Sequence, residues 1–410
     1  MHTRITRTLI ALAGSAALLL TAAPSQAAGM SDEPVPITTP ATPIVVTGNG
    51  YGHGHGMSQW GAKGAAEAPV PLRYQQILGF YYPGTSLTAL STGLTVLITG
   101  DTDNNLTVFP ERGLRVRDLG NGRTYKLRTR HHAPRVWRLV RLHGHTKVFY
   151  KTSRWHLYKT GGRRSLAGDG EFRSAVGTVT LKLPTGPRTY RGSLRYTNRD
   201  TVNVLDLEQY LRGVIAAEMP SSWPAAALQA QAVAARTYAA RERADHLDRY
   251  YQICDTTACQ VYGGVKSETA ATDAAAAATA GQVLTVGGQY AFAQFSSSNG
   301  GWASAGSQPY LTNHDDPYDR SVSPYLHWKV SIDPAKLQAA YPQIGTLLTV
   351  QVVQREGATP PGTPEWGGWV QKVRLTGTNG VVGTTVDISG DDFRRLYGLR
   401  SAYFTLDLVP

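Results

Sequence analysis

Hydrophobic and polar positions change texture twice along the chain. Residues 94–196 carry short Val, Leu, Tyr and Thr runs cut by turn signals such as Leu119-Gly120-Asn121-Gly122 and Lys159-Thr160-Gly161-Gly162, the pattern of a β-rich region. From Val202 the pattern turns helical. Asn203-Val204-Leu205 reads as a strand end, and Asp206-Leu207-Glu208-Gln209 as a capping box opening a helix that runs through Glu218 and stops at Pro220. Ser221 or Ser222 is the expected cap of a second helix, with Pro224 in its first turn and an alanine-rich body over 225–238. A third alanine-rich helix is predicted from about Glu268 to Gly281, then a hairpin in which Gly287-Gly288 joins 283–286 to 290–295. The tail from Gly345 is strand-like again, with a short helix near Asp391 to Tyr397. Upstream, an Ala-rich stretch and Tyr74-Gln75-Gln76-Ile77-Leu78 predict short helices ending at Tyr82-Pro83-Gly84. Helix and sheet in separate blocks, without a long-period repeat, point to an α+β fold.

The N-terminus has the composition of an export signal. Arg4 and Arg7 precede an apolar run from Leu9 to Ala23, and Ser25-Gln26-Ala27 offers small residues for cleavage. The run is too short for a good membrane span, and no later stretch is apolar enough to be one. Five regions are expected: a signal at 1–27, a Pro/Thr-rich linker at 28–47 with order beginning near Ile44, a Gly/His-rich segment at 48–90, a basic β-rich module at 91–196 and an α+β core at 197–410. Charge is concentrated in the module. Residues 101–200 hold 22 Lys and Arg against 7 Asp and Glu, whereas the whole chain is +12, so the remainder is slightly acidic. In an exported protein such a surface suits an anionic wall polymer rather than nucleic acid. Cys254 and Cys259, the two cysteines of the chain, are expected to form a disulfide outside the cell.

One carboxyl stands out by position. Glu218 lies at a predicted helix C-terminus, where the macrodipole disfavours its ionised form and raises its pKa. A glutamate protonated near neutral pH can act as general acid on an ether oxygen, which leaves poorly until protonated. Met219 precedes a proline and is pushed extended, which puts Glu218 on a defined bend. Asp206 and Glu208 are better explained as helix-start acids, and Asp255 sits in the cysteine loop as a weaker candidate. Gly52-His53-Gly54-His55-Gly56-Met57-Ser58-Gln59 alternates glycine with polar residues, so its backbone can approach a ligand closely. Two histidines two apart with no third ligand nearby do not make a metal site.

These motifs together resemble the SpoIID/LytB family of cell-wall proteins. The resemblance covers about residues 48–85 and 196–410, and runs through 52–82, 202–238, 254–264, 295–302, 316–328 and 390–404. It implies a SpoIID-like core and a lytic transglycosylase that cuts the bond between N-acetylmuramic acid and N-acetylglucosamine. The glutamate before Met-Pro is then the catalytic acid and base, which is Glu218, and the product carries a 1,6-anhydro end. No cofactor is implied. His53, Ser58 and Gln59 fall on the family's Gly-His-Gly-x-Gly-Met-Ser-Gln pattern, Gln260 and Tyr262 on its Gln-x-Tyr, and Ser297, Ser298 and Asn299 on its Ser-rich Gly-Gly turn; all are expected to contact sugar. Turn formation and sheet packing are the competing roles for Tyr262 and Asn299. Some relatives use cysteines and a histidine to hold zinc in the 254–264 loop, which leaves zinc as an alternative for the cysteine pair. The glycine-rich segment here precedes the core instead of following it, so it must fold back to complete the cleft. The LytB side of the family implies a second function, as a wall-binding modifier of an amidase, with an autolysin as partner.

Overall fold

The computed structural model describes residues 32–38, 43–129, 133–357, 364–380 and 383–408. The expected signal at 1–27 lies outside the described residues. The fold is α+β, with three packed regions.

The first is a β-sandwich. Its seven-stranded sheet runs in the order Ile253–Cys254, Gly93–Leu97, Asp200–Asp206, Ser193–Thr197, Gly170–Arg173, Arg115–Asp118 and Thr124–Lys126. A six-stranded sheet, including Val136–Leu142, His145–Lys151 and Thr178–Leu183, faces it. The alternating apolar residues of both inner faces, among them Val96, Val116, Leu139, Phe172, Leu181 and Leu194, merge into one buried cluster. The predicted boundary at 196/197 does not hold as a break. Strands Ser193–Thr197 and Asp200–Asp206 form one hairpin across it, and the same core takes in Leu207, Tyr210, Leu211, Val214 and Ile215 of the following helix.

The second region is helical. It contains α1 (Gln59–Ala66), α2 (Tyr74–Tyr81), α3 (Leu207–Glu218), α4 (Ala225–Asp245), α5 (Ala270–Ala278) and the short α6 (Pro317–Val322). Helix α4 is the axle. Its alanines leave room for α1, α2, α3, α5 and strand Gln282–Val286 to pack around it, and twelve of its residues are buried. Its start differs from expectation: Pro224 is the N-cap, not Ser221 or Ser222. Asp206 caps α3 by position, but without a side-chain bond to the helix. The predicted hairpin forms, with Gly287 and Gly288 both at positive φ (55° and 77°), as a two-residue type I′ turn requires.

The third region closes on itself late in sequence. Strand Ile44–Asn49 lies between Trp328–Ile332 and Tyr403–Leu408, beside a sheet that contains Thr346–Arg355, Val370–Thr378 and Gly383–Ser389. Residues 32–38 of the stretch expected as linker are tied down within this unit. Val35–Pro36 pairs with Thr346–Arg355, and buried Arg355 forms an ion pair with Asp32. Low local hydrophobicity concealed this, because the stretch is held by backbone pairing and one ion pair.

Candidate functional site

Glu218 closes the last turn of α3. Met219 is extended (φ −137°, ψ 136°), as a residue before proline should be, and its own side chain is buried against α4. The chain therefore turns away and leaves the carboxyl half-buried at the helix end. Two groups reach it. The backbone N–H of Val261 donates to Oε1 at 2.8 Å, and the side chain of Gln59 lies near enough to favour the ionised form. Burial raises the Glu218 pKa, while the Val261 N–H and Gln59 pull it partly back. The direction is the one expected from the sequence; the largest cause is desolvation.

Gln59 comes from the glycine-rich segment, about 160 residues upstream. The segment lies along the chain after 295: Met57 and Ser58 pair in parallel with Phe295 and Ser296, Tyr51 bridges to Ser298, and His55 to Ser304. Its glycines are needed for that fit. A Cβ on Gly56 would lie 2.1 Å from the Gln294 carbonyl oxygen, and one on Gly54 would lie 2.1 Å from the Trp369 ring. Buried Gln59 then stands between Glu218 and Gln231 of α4, its amide 3.5 Å from Gln231 Oε1. Gln231 is itself fully buried, with no partner for its own Nε2.

The other residues of the segment go elsewhere. His53 and His55 stack at 5.0 Å between centroids, His55 meets the Ser304 carbonyl, and the nearest charges to both include Asp391 of the helix Gly390–Tyr397 rather than Glu218. Ser58 is fully buried and caps α1 by accepting from the Gly61 N–H at 3.0 Å. It donates to Asp319 Oδ2 at 2.5 Å.

Ser58 belongs to a buried knot. Asp319 also accepts from Ser298 Oγ and the Gly301 N–H, both at 3.0 Å. Asp316 accepts from Tyr81 Oη at 2.8 Å, Asn299 Nδ2 at 2.7 Å and the Asp319 N–H at 3.0 Å. Ser58 and Ser298, expected to contact sugar, thus spend their hydroxyls inside the protein, and Asn299 takes the competing turn role. Ser297 differs, since it is half-buried and its carbonyl accepts from the Trp60 N–H.

Gln260 and Tyr262 are also interior. Tyr262 Oη donates to Asn203 at 2.8 Å; Gln260 accepts from Tyr210 and donates to the Ala235 carbonyl, both at 3.2 Å. Their burial on either side of Val261 aims its N–H at Glu218, so the Gln-Val-Tyr run acts through the backbone of its middle residue. Cys254 and Cys259 form a disulfide that closes the same loop, which removes the zinc alternative for this pair. Two of the three rival carboxylates have other partners. Glu208 is engaged with Arg236 and the Gly281 N–H, and Asp255 accepts from Thr99 N–H and Oγ1.

Sequence reasoning missed Gln231, Val261, Trp60 and Trp223. Gln231 had a signal, as a polar residue on the inner face of an otherwise alanine-rich run. The other three become visible only when 59–60, 218–223 and 260–262 are brought together in space.

This is an α+β protein with a desolvated glutamate at a helix end, met by a segment threaded back from upstream. Residues 195–286 match the family model described as Stage II sporulation protein (SpoIID). Stage II sporulation protein D of Bacillus subtilis (strain 168) is 32% identical over 254 residues, 56% of this chain and 68% of that protein. Its counterpart in Bacillus amyloliquefaciens is 30% identical over 251 residues, 55% of this chain and 66% of that one. The amidase enhancer of Bacillus subtilis (strain 168) is 36% identical over 203 residues, 39% of this chain; the match spans 27% of that protein, about a quarter of its length. The chain belongs to the SpoIID family. No helix among the described residues is long and apolar enough to cross a membrane.

Proposed function

We propose that the chain is a secreted lytic transglycosylase of peptidoglycan, cutting between N-acetylmuramic acid and N-acetylglucosamine with Glu218 as acid and base. The observation that carries the reading is a half-buried carboxyl of raised pKa at a helix end, whose ionised form is nonetheless supported by the Val261 N–H and by the nearby Gln59 amide. A single group can then serve both steps. Protonated Glu218 gives its proton to the bridging oxygen as the anomeric carbon–oxygen bond breaks. The C6 hydroxyl oxygen of the same sugar bonds to the anomeric carbon, and its proton returns to the carboxylate, which regenerates the acid. The tethered hydroxyl supplies a high effective molarity. Two-carboxylate hydrolysis needs a second acid close by; the commitment of Glu208 and Asp255 to other partners speaks against it. Incubation with purified glycan strands is expected to release anhydro-ended fragments, seen by mass spectrometry, and Glu218→Gln to release none. Full activity in that variant would remove Glu218 from the mechanism.

The same reading includes attachment to anionic wall polymer through the sandwich. On the outer face of the seven-stranded sheet, Arg117 and Arg195 stand directly across from Glu171 on the two neighbouring strands, and Arg173 lies two positions further along. They line a concavity of about 550 Å³. Binding to wall polymer should weaken steeply from low to high salt; salt-independent binding would contradict it. The match to an amidase enhancer supports a second reading, in which the chain modifies an autolysin. Inactivity of the purified protein on glycan, together with stimulation of an amidase, would favour that one.

A further inference from the structure

Four aromatic rings form a continuous path whose two tryptophans flank the site in sequence, Trp60 next to Gln59 and Trp223 five residues after Glu218. Trp60 follows Gln59 directly on α1, on the half-exposed side of that helix with Lys63, while Gly61, Ala62, Gly64 and Ala65 face inward. Trp223 sits in the turn between α3 and α4, its N–H bonded to the Pro220 carbonyl. The two indoles meet edge to face with centroids 4.8 Å apart. Trp60 meets Tyr325 at 6.4 Å, and Tyr325 meets Tyr51 at 5.2 Å. Tyr51 is 48% exposed, and both tryptophans and Tyr325 are half-buried. Polar groups flank the path: half-buried Ser297 bonds Trp60 through its carbonyl, Lys63 lies 5.7 Å from the Trp60 ring centre and Arg400 lies 5.4 Å from that of Tyr325.

We infer that this path is the platform on which the glycan strand lies as it enters the cleft, an inference that rests on the transglycosylase reading. A pyranose has an apolar face of axial C–H groups that stacks on aromatic rings, and the rings here recur at intervals comparable with the length of one sugar. The occupant is a glycan because Trp60 directly follows Gln59, and Trp223 lies on the turn into which α3 runs after Glu218 and meets Trp60 there. The cations beside it suit the carboxylates of lactyl and stem groups. Trp60 and Trp223 are therefore positioning residues that set where along the strand Glu218 acts.

The test uses the full chain carrying Glu218→Gln, and stripped glycan strands as probe. Adding Trp60→Ala or Trp223→Ala is expected to weaken glycan affinity about tenfold, while Trp60→Phe keeps most of it. In the otherwise unsubstituted enzyme the same changes should raise KM more than they lower kcat. Because either truncation can disturb packing, radical footprinting of the unsubstituted protein provides a second reading, with oxidation of Trp60 and Trp223 falling when glycan is bound. Unchanged affinity in both alanine variants, together with unchanged oxidation, overturns the platform. If that happens while Glu218→Gln is inactive, the acid stands and the platform alone falls. If the tryptophan variants lose affinity while Glu218→Gln still cuts, the platform stands and the assignment of Glu218 falls.

Discussion

Glu218 and the Asp316/Asp319 pair are carboxyls of the same kind, both pushed up in pKa chiefly by burial, yet their surroundings differ in one respect. Asp316 and Asp319 are fully enclosed, and hydroxyls, an amide and backbone N–H groups converge on them. Glu218 is half-open, with the Val261 N–H as donor and Gln59 nearby. A perturbed acid alone therefore does not distinguish chemistry from architecture. The proposed role of Glu218 rests instead on its open side and its place at the end of α3, because a proton must have somewhere outside the fold to go.

The sharpest way to break this comparison is to exchange chemistry at each site. Glu218→Gln should lower turnover by roughly 10²- to 10⁴-fold, the usual worth of a general acid, with the fold intact by circular dichroism. Asp316→Ala should do the reverse. It leaves Tyr81 Oη, Asn299 Nδ2 and the Asp319 N–H without their acceptor, so unfolding free energy should drop by about 3 kcal/mol in a denaturant titration. Specific activity of the folded fraction should survive. A fully stable but inactive Asp316→Ala would place the knot in the chemistry and erase the distinction.

The smallest expected effect is on stability against pH. A folded pKa raised above the unfolded one means the native state binds its proton more tightly, so stability is greatest below the unfolded pKa and is lost as pH rises through the folded one. Glu218→Gln removes that loss at its site. Its melting temperature should exceed that of the unsubstituted protein at alkaline pH and converge with it in acid, where Glu218 is protonated in both states. A constant offset across pH would mean that the burial of Glu218 does not act on its proton. The Asp316/Asp319 pair has the same sign, so the variant should still lose stability as pH rises.

What the sequence revealed followed local chemistry. Met219-Pro220 ends α3 at Glu218 and Gly287-Gly288 turns the hairpin because each feature is decided by backbone torsions of neighbouring residues. What it concealed depended on distant partners. Nothing near Ser58 or Ser298 announces that their hydroxyls point to Asp319, 261 and 21 residues away. A hydroxyl bound for sugar and one bound for a buried carboxylate are the same letter. Tyr262 is concealed likewise by Asn203, 59 residues upstream. The border at 196/197 was drawn where composition changes, but a hairpin and a shared core cross it.

The pairing of strand Ile44–Asn49 has a consequence for the order in which the molecule is assembled. Both of its neighbours, Trp328–Ile332 and Tyr403–Leu408, are synthesised some 280 residues or more after it. During synthesis the strand waits with both edges unpaired, and the segment that carries Gln59 to Glu218 is tethered to its end. Docking of that segment also needs the Phe295–Ser296 strand and α6, so the sandwich and α3 can form long before the crevice around Glu218 is complete. A chain released early would hold the acid without its amide partner. Under the proposed cleavage of the wall, activity would be a property of the finished polypeptide and incomplete products would be harmless.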